Sequence, residues 1–157
     1  CRTPSRSSVD GLRAVDTGAP YYDRFLQHHT DYVAALRATG AQVTLLDPLE
    51  AFPDSVFVED AALCLPEGAI VMRPGAPTRL GEAAAMAPAL QQAYGEIRQI
   101  EGPGFIEGGD ILVTEREILV GNSARTAAAG VADLRAIVSP PLGKRPPPTP
   151  SASTTWF

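Results

Sequence analysis

At 157 residues, 45% of them hydrophobic, the chain has the length of one domain with a core of ordinary size. A formal net charge of -5, with no cluster of Lys or Arg to neutralise phosphates, excludes nucleic acid as a partner and favours a small cationic ligand. No apolar run reaches the length of a membrane span and no signal-peptide pattern opens the sequence, so a soluble, cytoplasmic protein is expected, and with Cys1 in first place the chain is expected to start inside a longer reading frame or to have lost its beginning.

In chain order, Tyr22, Phe25, Leu26, His29, Tyr32, Val33 and Leu36 recur at spacings of three and four, which predicts a helix from Pro20 to Thr39. Pro20 suits its first turn and Gly40 its stop. Gln42 to Leu46 (QVTLL) then reads as a strand, as does the segment Asp54 to Asp60 (DSVFVED), with Phe57 and Glu59 on one face and Val56, Val58 and Asp60 on the other. Two short strands, Ala61 to Leu65 and Ala69 to Met72, flank the turn Pro66-Glu67-Gly68. A helix over Leu80 to Tyr94, kinked or shortened by Pro88, and a strand over Ile97 to Ile100 complete a strand-strand-helix-strand unit. A second unit follows, with strands near Asp110 to Thr114 and Glu117 to Val120 and a helix over Thr126 to Val138. The closing strand has no counterpart in the sequence, because Ser139 to Phe157 carries six prolines and no period, and reads as a disordered or extended tail.

The units repeat in chemistry as well as in pattern. Phe57-Val58-Glu59 is echoed by Phe105-Ile106-Glu107, 48 positions on, and each motif is followed by a hairpin pattern and then an arginine, Arg79 and Arg125. Core packing alone gives no reason for a glutamate and an arginine to recur. Gathered together, Asp54, Glu59, Asp60 and Glu107 would repel one another, a penalty that a bound cation removes. Guanidinium fits best, since it is planar, permanently charged and offers its N–H donors to carboxylates two at a time. The paired arginines supply the complementary half, a grip on a carboxylate, so the set describes a pocket for an arginine-like amino acid.

Other signals carry less. The glycines at 102, 104, 108 and 109 are interrupted by Pro103 and lead into a strand, which rejects a dinucleotide loop, and the acidic run lacks the alternating oxygen ligands of a Ca²⁺ or Mg²⁺ loop, so no metal is expected. Cys64 reads as a buried strand cysteine, and His28 and His29 as structural residues of the first helix.

DGL at Asp10 to Leu12, DSVFVED at Asp54 to Asp60, RPGAPTR at Arg73 to Arg79, EGGDIL at Glu107 to Leu112 and VGNSART at Val120 to Thr126 together resemble the dimethylarginine dimethylaminohydrolase family, in order and spacing, from residue 2 to about Val138. The resemblance implies an α/β fold, a pentein-type β/α propeller built of ββαβ modules, of which about three of five blades would fall within residues 1–138 of this chain, with 139–157 a tail outside the resemblance. It implies hydrolysis of Nω-methylated arginine to citrulline and dimethylamine, without a cofactor, in the guanidino-group-modifying superfamily.

By position, the resemblance would place Leu12 on the substrate through its backbone and set Asp54, Glu59 and Asp60 around the substrate. Asp60 and Glu107 would grip the guanidinium and Arg79 and Arg125 the α-carboxylate, with Glu107 also standing as a catalytic residue. The family's mechanism adds a histidine after Arg125 and a nucleophilic cysteine near the end of a longer chain. Neither has a counterpart here, so the chain is expected to be a truncated, inactive form. Two alternatives stay open: a non-catalytic binding module for arginine analogues, and a relative of arginine deiminases or amidinotransferases. Exposed strand edges where further blades would dock predict marginal stability.

Overall fold

A computed structural model of the chain describes residues 1–139, which divide into two compact units, Cys1–Val58 and a second that begins at Glu59. The proline-rich tail lies, after Ser139, outside the described residues.

The first unit is built around α1 (Tyr22–Ala38). Asp23 in its first turn and Arg37 in its last complement the helix dipole, and the helix stops where the Gly40 N–H donates to the Arg37 carbonyl at 3.0 Å with Gly40 at φ 89°. The expected apolar face holds at Val33, which is buried, and at Tyr22, Phe25, Leu26, His29 and Leu36, which are partly so. Tyr32, at 56% exposure, belongs to the solvent side. The strand expected over 42–46 is reduced to one parallel bridge between Leu46 and Arg2. Its bonds run from Thr3 N–H to the Leu46 carbonyl (3.0 Å) and from Leu46 N–H to the Cys1 carbonyl (2.9 Å).

The largest departure from the expected pattern is at the acidic motif. Residues 53–56 form turns, with Ser55 N–H bonded to the Phe52 carbonyl and Phe57 N–H to the Asp54 carbonyl, each at 3.0 Å, and α2 (Val58–Ala61) follows. The segment is therefore not a strand: the Pro53-Asp54-Ser55 sequence closes its backbone bonds locally and leaves none for a sheet. The Phe105 to Asp110 motif differs in part: Ile106 is bridged to Arg73 and Glu107 is extended, and a 3₁₀ turn follows over Gly108–Asp110. Each acidic motif passes through a helical turn before its hairpin.

In the second unit β1 (Ala62–Leu65) and β2 (Gly68–Val71) form the antiparallel hairpin, Ala62 opposite Val71, and β3 (Ile97–Gln99) lies parallel to β2. The crossover between β2 and β3 is α3 (Leu80–Ala84) and α4 (Ala87–Tyr94); the single helix read from the sequence is split just ahead of Pro88, which takes its place in the first turn of α4, where a missing N–H costs nothing. β4 (Ile111–Val113) and β5 (Ile118–Val120) form the second antiparallel hairpin, followed by α5 (Ala128–Val138). Among the described residues no third strand joins that pair.

Leu63, Leu65, Ile70, Met72, Ile100, Ile106 and Leu134 make the core of this unit. Glycine seats α5 against it, because a Cβ on Gly104 would lie 2.1 Å from the Gly130 nitrogen and one on Gly130 would lie 2.3 Å from the Phe105 carbonyl oxygen. An antiparallel bridge, Ile106 N–H to the Arg73 carbonyl at 2.9 Å, ties the second acidic motif to the chain leaving β2. No helix among the described residues is long and apolar enough to cross a membrane.

The Gly40 turn gives a direct check on the first unit. A Cβ there meets nothing within 4 Å, so Gly40→Ala carries only the strain of a left-handed backbone and is expected to lower stability by about 1 kcal/mol, read as a shift in urea midpoint without a change in slope.

Candidate functional site

Arg79 is the centre of charge in the second unit. It ends a 3₁₀ turn, Pro77–Arg79, and is 5% exposed. Its Nη1 donates to Asp60 Oδ2 at 2.7 Å, its Nε donates to Glu82 Oε1 at 2.9 Å, and Nη2 bonds the same Glu82 oxygen. Glu107 Oε2 stands 3.9 Å from Nη1. Burial would lower the Arg79 pKa, but hydrogen bonds and charge from Glu82 and Asp60 outweigh it and raise the value.

Glu107 is the most enclosed acid of the set, at 1% exposure. Its Oε2 lies 3.3 Å from Arg125 Nη1 yet accepts no hydrogen bond. Burial pushes its carboxyl pKa up, opposed by the charges of Arg79 and Arg125 and assisted by those of Asp60 and Asp110. Arg125 is different in kind: its side chain is 55% exposed and bridges Glu107 to Asp110, whose Oδ1 is 3.6 Å from Nη2. Asp110 Oδ2 accepts from the hydroxyls of Ser123 and Thr126, each at 2.7 Å, and these bonds hold its pKa down.

The two glycines of the EGGD segment allow this assembly. A Cβ on Gly108 would sit 2.0 Å from the Glu59 carbonyl oxygen and one on Gly109 would sit 2.5 Å from Asp60 Oδ1. Only glycine lets the second acidic motif lie against the first.

Of the residues expected from the sequence, the structure thus brings together Asp60, Glu107, Arg79 and Arg125. Glu59 is exposed, its side chain outside the Arg79 network, although its carbonyl forms the floor under Gly108. Asp54 and Leu12 belong to the first unit, where buried Asp54 accepts the Leu12 N–H at 3.0 Å through Oδ1 and 3.3 Å through Oδ2. A cavity of about 180 Å³ lies beside them, lined mainly by apolar side chains that include Phe25, Pro53 and Phe57. Sequence reasoning missed Glu82 and Asp110 as site residues. The signal for Glu82 was its position three residues after Arg79 at a helix start, where side chains meet.

Cys64 is half-buried in β1 rather than fully buried; burial pushes its thiol pKa up, against the pull of a hydrogen bond with Tyr94, which leaves little thiolate. His28 and His29 sit in α1, and burial lowers the pKa of His29. No group of acids, cysteines or histidines able to hold a metal ion occurs among the described residues.

Comparison with known proteins identifies the chain's relatives. The family model described as N,N dimethylarginine dimethylhydrolase, eukaryotic, matches residues 19–138. The N(G),N(G)-dimethylarginine dimethylaminohydrolase of Pseudomonas aeruginosa is 45% identical over 138 residues, 87% of this chain and 54% of that protein. That of Streptomyces coelicolor is 38% identical over 145 residues, 92% of this chain and 56% of its own length. A crystal structure of the Pseudomonas aeruginosa enzyme, a cysteine-to-serine mutant complexed with citrulline, superposes with a TM-score of 0.84 at 45% identity, over 87% of this chain and 54% of that one. The chain spans about half the length of the curated relatives it matches. The fold is accordingly a mixed α/β one, part of a pentein-type propeller.

Proposed function

The chain belongs to the dimethylarginine dimethylaminohydrolase family, and from that premise we propose that it carries the recognition half of an enzyme that hydrolyses Nω-methylated arginine to citrulline and dimethylamine in the cytoplasm. One observation carries the reading: a buried glutamate, Glu107, lies between two arginines with an oxygen that no hydrogen bond satisfies. Citrulline in the relative's complex has the amino-acid end of the same ligand class.

The chemistry is an exchange of ion pairs. Arg125 covers Glu107 from the solvent side. A ligand with a carboxylate at one end draws Arg125 to itself, and its guanidinium takes the vacated place at Glu107 and Asp60, satisfying the bare Oε2 acceptor. Charge is conserved throughout, which limits the desolvation cost. Two carboxylates gripping one guanidinium in its plane leave the faces of its carbon open to a nucleophile.

The family's cysteine nucleophile and histidine have no candidates in this set. Cys64, with its raised pKa and its place in β1, is not a nucleophile for this site, and the histidines belong to α1. The 157-residue chain is therefore expected to bind and not to turn over. The test is a citrulline assay with Nω,Nω-dimethylarginine, beside a titration with its decarboxylated amine. Citrulline formed by the chain and lost in Glu107→Ala contradicts the inactivity, and binding of the amine as tight as that of the amino acid contradicts the exchange.

Glu107 must be ionised to accept a guanidinium. Its folded pKa is raised, so affinity is expected to fall as pH drops through that raised value, and binding at a pH near it releases protons. Calorimetry in two buffers of different ionisation heat measures the protons released. Proton uptake on binding would contradict the assignment.

A further inference from the structure

Asp110 has no part in the recognition set described above, yet polar contacts from the turn over 123–126 converge on its carboxylate. Its Oδ2 accepts from the Ser123 hydroxyl and from the Thr126 hydroxyl, each at 2.7 Å. Ser123 Oγ in turn accepts the backbone N–H of Arg125 at 2.9 Å, and Thr126 Oγ1 accepts that of Glu107 at 3.3 Å. One oxygen of Asp110 thus ties down the turn that carries Arg125, while the other, Oδ1, faces the Arg125 guanidinium at 3.6 Å from Nη2. Asp110 is fixed from behind, since it ends the 3₁₀ turn Gly108–Asp110 and its carbonyl accepts the Gly121 N–H at 2.8 Å. Inside the turn the backbone bonds are long, 3.3 Å from Ser123 N–H to the Thr126 carbonyl and 3.4 Å in return, so the side-chain ties carry more of its order.

We propose that Asp110 is a positioning residue for the carboxylate end of the ligand: by holding Ser123 and its turn, it sets Arg125 in place before the α-carboxylate arrives. This rests on the functional reading above. A half-exposed ion pair such as Asp110–Arg125 adds little to stability, so the value of the network lies in aim. A long side chain on a loose turn loses freedom when it grips a ligand, and one on a turn already fixed loses less. The guanidinium end does not depend on Asp110 in this way, because the Thr126 hydroxyl that accepts the Glu107 N–H is fully buried and keeps that bond without it. The device is also absent from the repeat: Ala62, 48 positions earlier, stands where Asp110 would have its counterpart.

Two readouts separate positioning from a general part in the fold. The first needs no ligand. By NMR, the Arg125 backbone N–H of the 157-residue chain is expected to exchange with solvent at least about fivefold faster in Asp110→Ala than in wild type. In Asp110→Asn, whose amide oxygen still accepts both hydroxyls, it is expected to stay near the wild-type rate. An unchanged rate in Asp110→Ala overturns the proposal.

The second readout is affinity for Nω,Nω-dimethylarginine and for its α-carboxamide, measured in each variant. Asp110→Ala is expected to weaken the acid at least about tenfold and to leave the amide within about twofold, and Asp110→Asn is expected to restore the acid. Equal loss of both compounds overturns the proposal, because Asp110 would then support the fold and not the aim of Arg125. Tighter binding of the acid in both variants also overturns it, because Asp110 would then be only a competitor for Arg125. Should Asp110→Ala fail to fold, Ser123→Ala decides: it cuts the tie to the Arg125 N–H, leaves Thr126 on Asp110, and is expected to weaken the acid alone. If the wild-type chain binds neither compound, the functional reading fails, and the Arg125 exchange rates still decide whether Asp110 holds the turn.

Discussion

Arg79→Ala is expected to destabilise the chain by about 3–5 kcal/mol, the largest effect of any single substitution in the second unit, because it leaves buried charge without a partner. Asp60, Glu82 and Glu107 are 8%, 2% and 1% exposed, and each of them meets the Arg79 guanidinium. Arg125 partly neutralises Glu107. The pH dependence gives the mechanism away. Removing Arg79 takes away a charge that opposes the raised pKa of Glu107, so the penalty belongs to the ionised carboxyl, appears as pH rises through the unfolded carboxylate range and is relieved on acidification. Thermal melts of the variant are expected to approach those of wild type as pH is lowered toward about 4. A loss of the same size at every pH would show that packing, and not charge, is what Arg79 contributes.

Gly108→Ala comes next, at about 3 kcal/mol, since the new methyl would stand 2.0 Å from the Glu59 carbonyl oxygen. That oxygen belongs to backbone at the start of the second unit and cannot swing aside, so either α2 or the 3₁₀ turn at Gly108 must shift. Either shift separates the two acidic motifs. Gly109→Ala meets a side-chain oxygen, Asp60 Oδ1 at 2.5 Å, and is expected to cost less in stability while loosening Asp60 from Arg79. Gly121→Ala is the control, with its nearest neighbour at 3.6 Å. Denaturant midpoints ranked Gly108, Gly109, Gly121 in order of loss support the close approach. A neutral Gly108→Ala would contradict it.

The hairpins, the first helix and the split at Pro88 were legible because each rests on local chemistry: an apolar period, a Gly turn, a missing N–H. The first acidic motif, Asp54 to Asp60, was misread as a strand for an instructive reason. Val58 and Asp60 are buried and Glu59 exposed, which mimics strand alternation, but a short helical turn at a surface produces the same pattern over three residues. Three residues cannot distinguish the two periods, and Pro53-Asp54-Ser55, a turn sequence, was the better guide. The residue types of the site were readable because the acid and the arginine recur together. Their partners were not. Arg79 is the buried arginine and pairs with Glu82 of a helix beginning at Leu80, which repetition alone does not reveal. The β4–β5 pair carries Leu112 and Leu119 opposite each other, 60% and 46% exposed.

The central proposal is that this chain recognises a methylated arginine and does not transform it, and one calorimetric titration with Nω,Nω-dimethylarginine reads both halves. The account predicts saturable heat that returns to baseline after each injection, abolished by Glu107→Ala and by Asp60→Asn. Heat that continues after injection until substrate is consumed would contradict the claim that the chain lacks the chemistry, and the absence of saturable heat would contradict the claim that it holds the ligand.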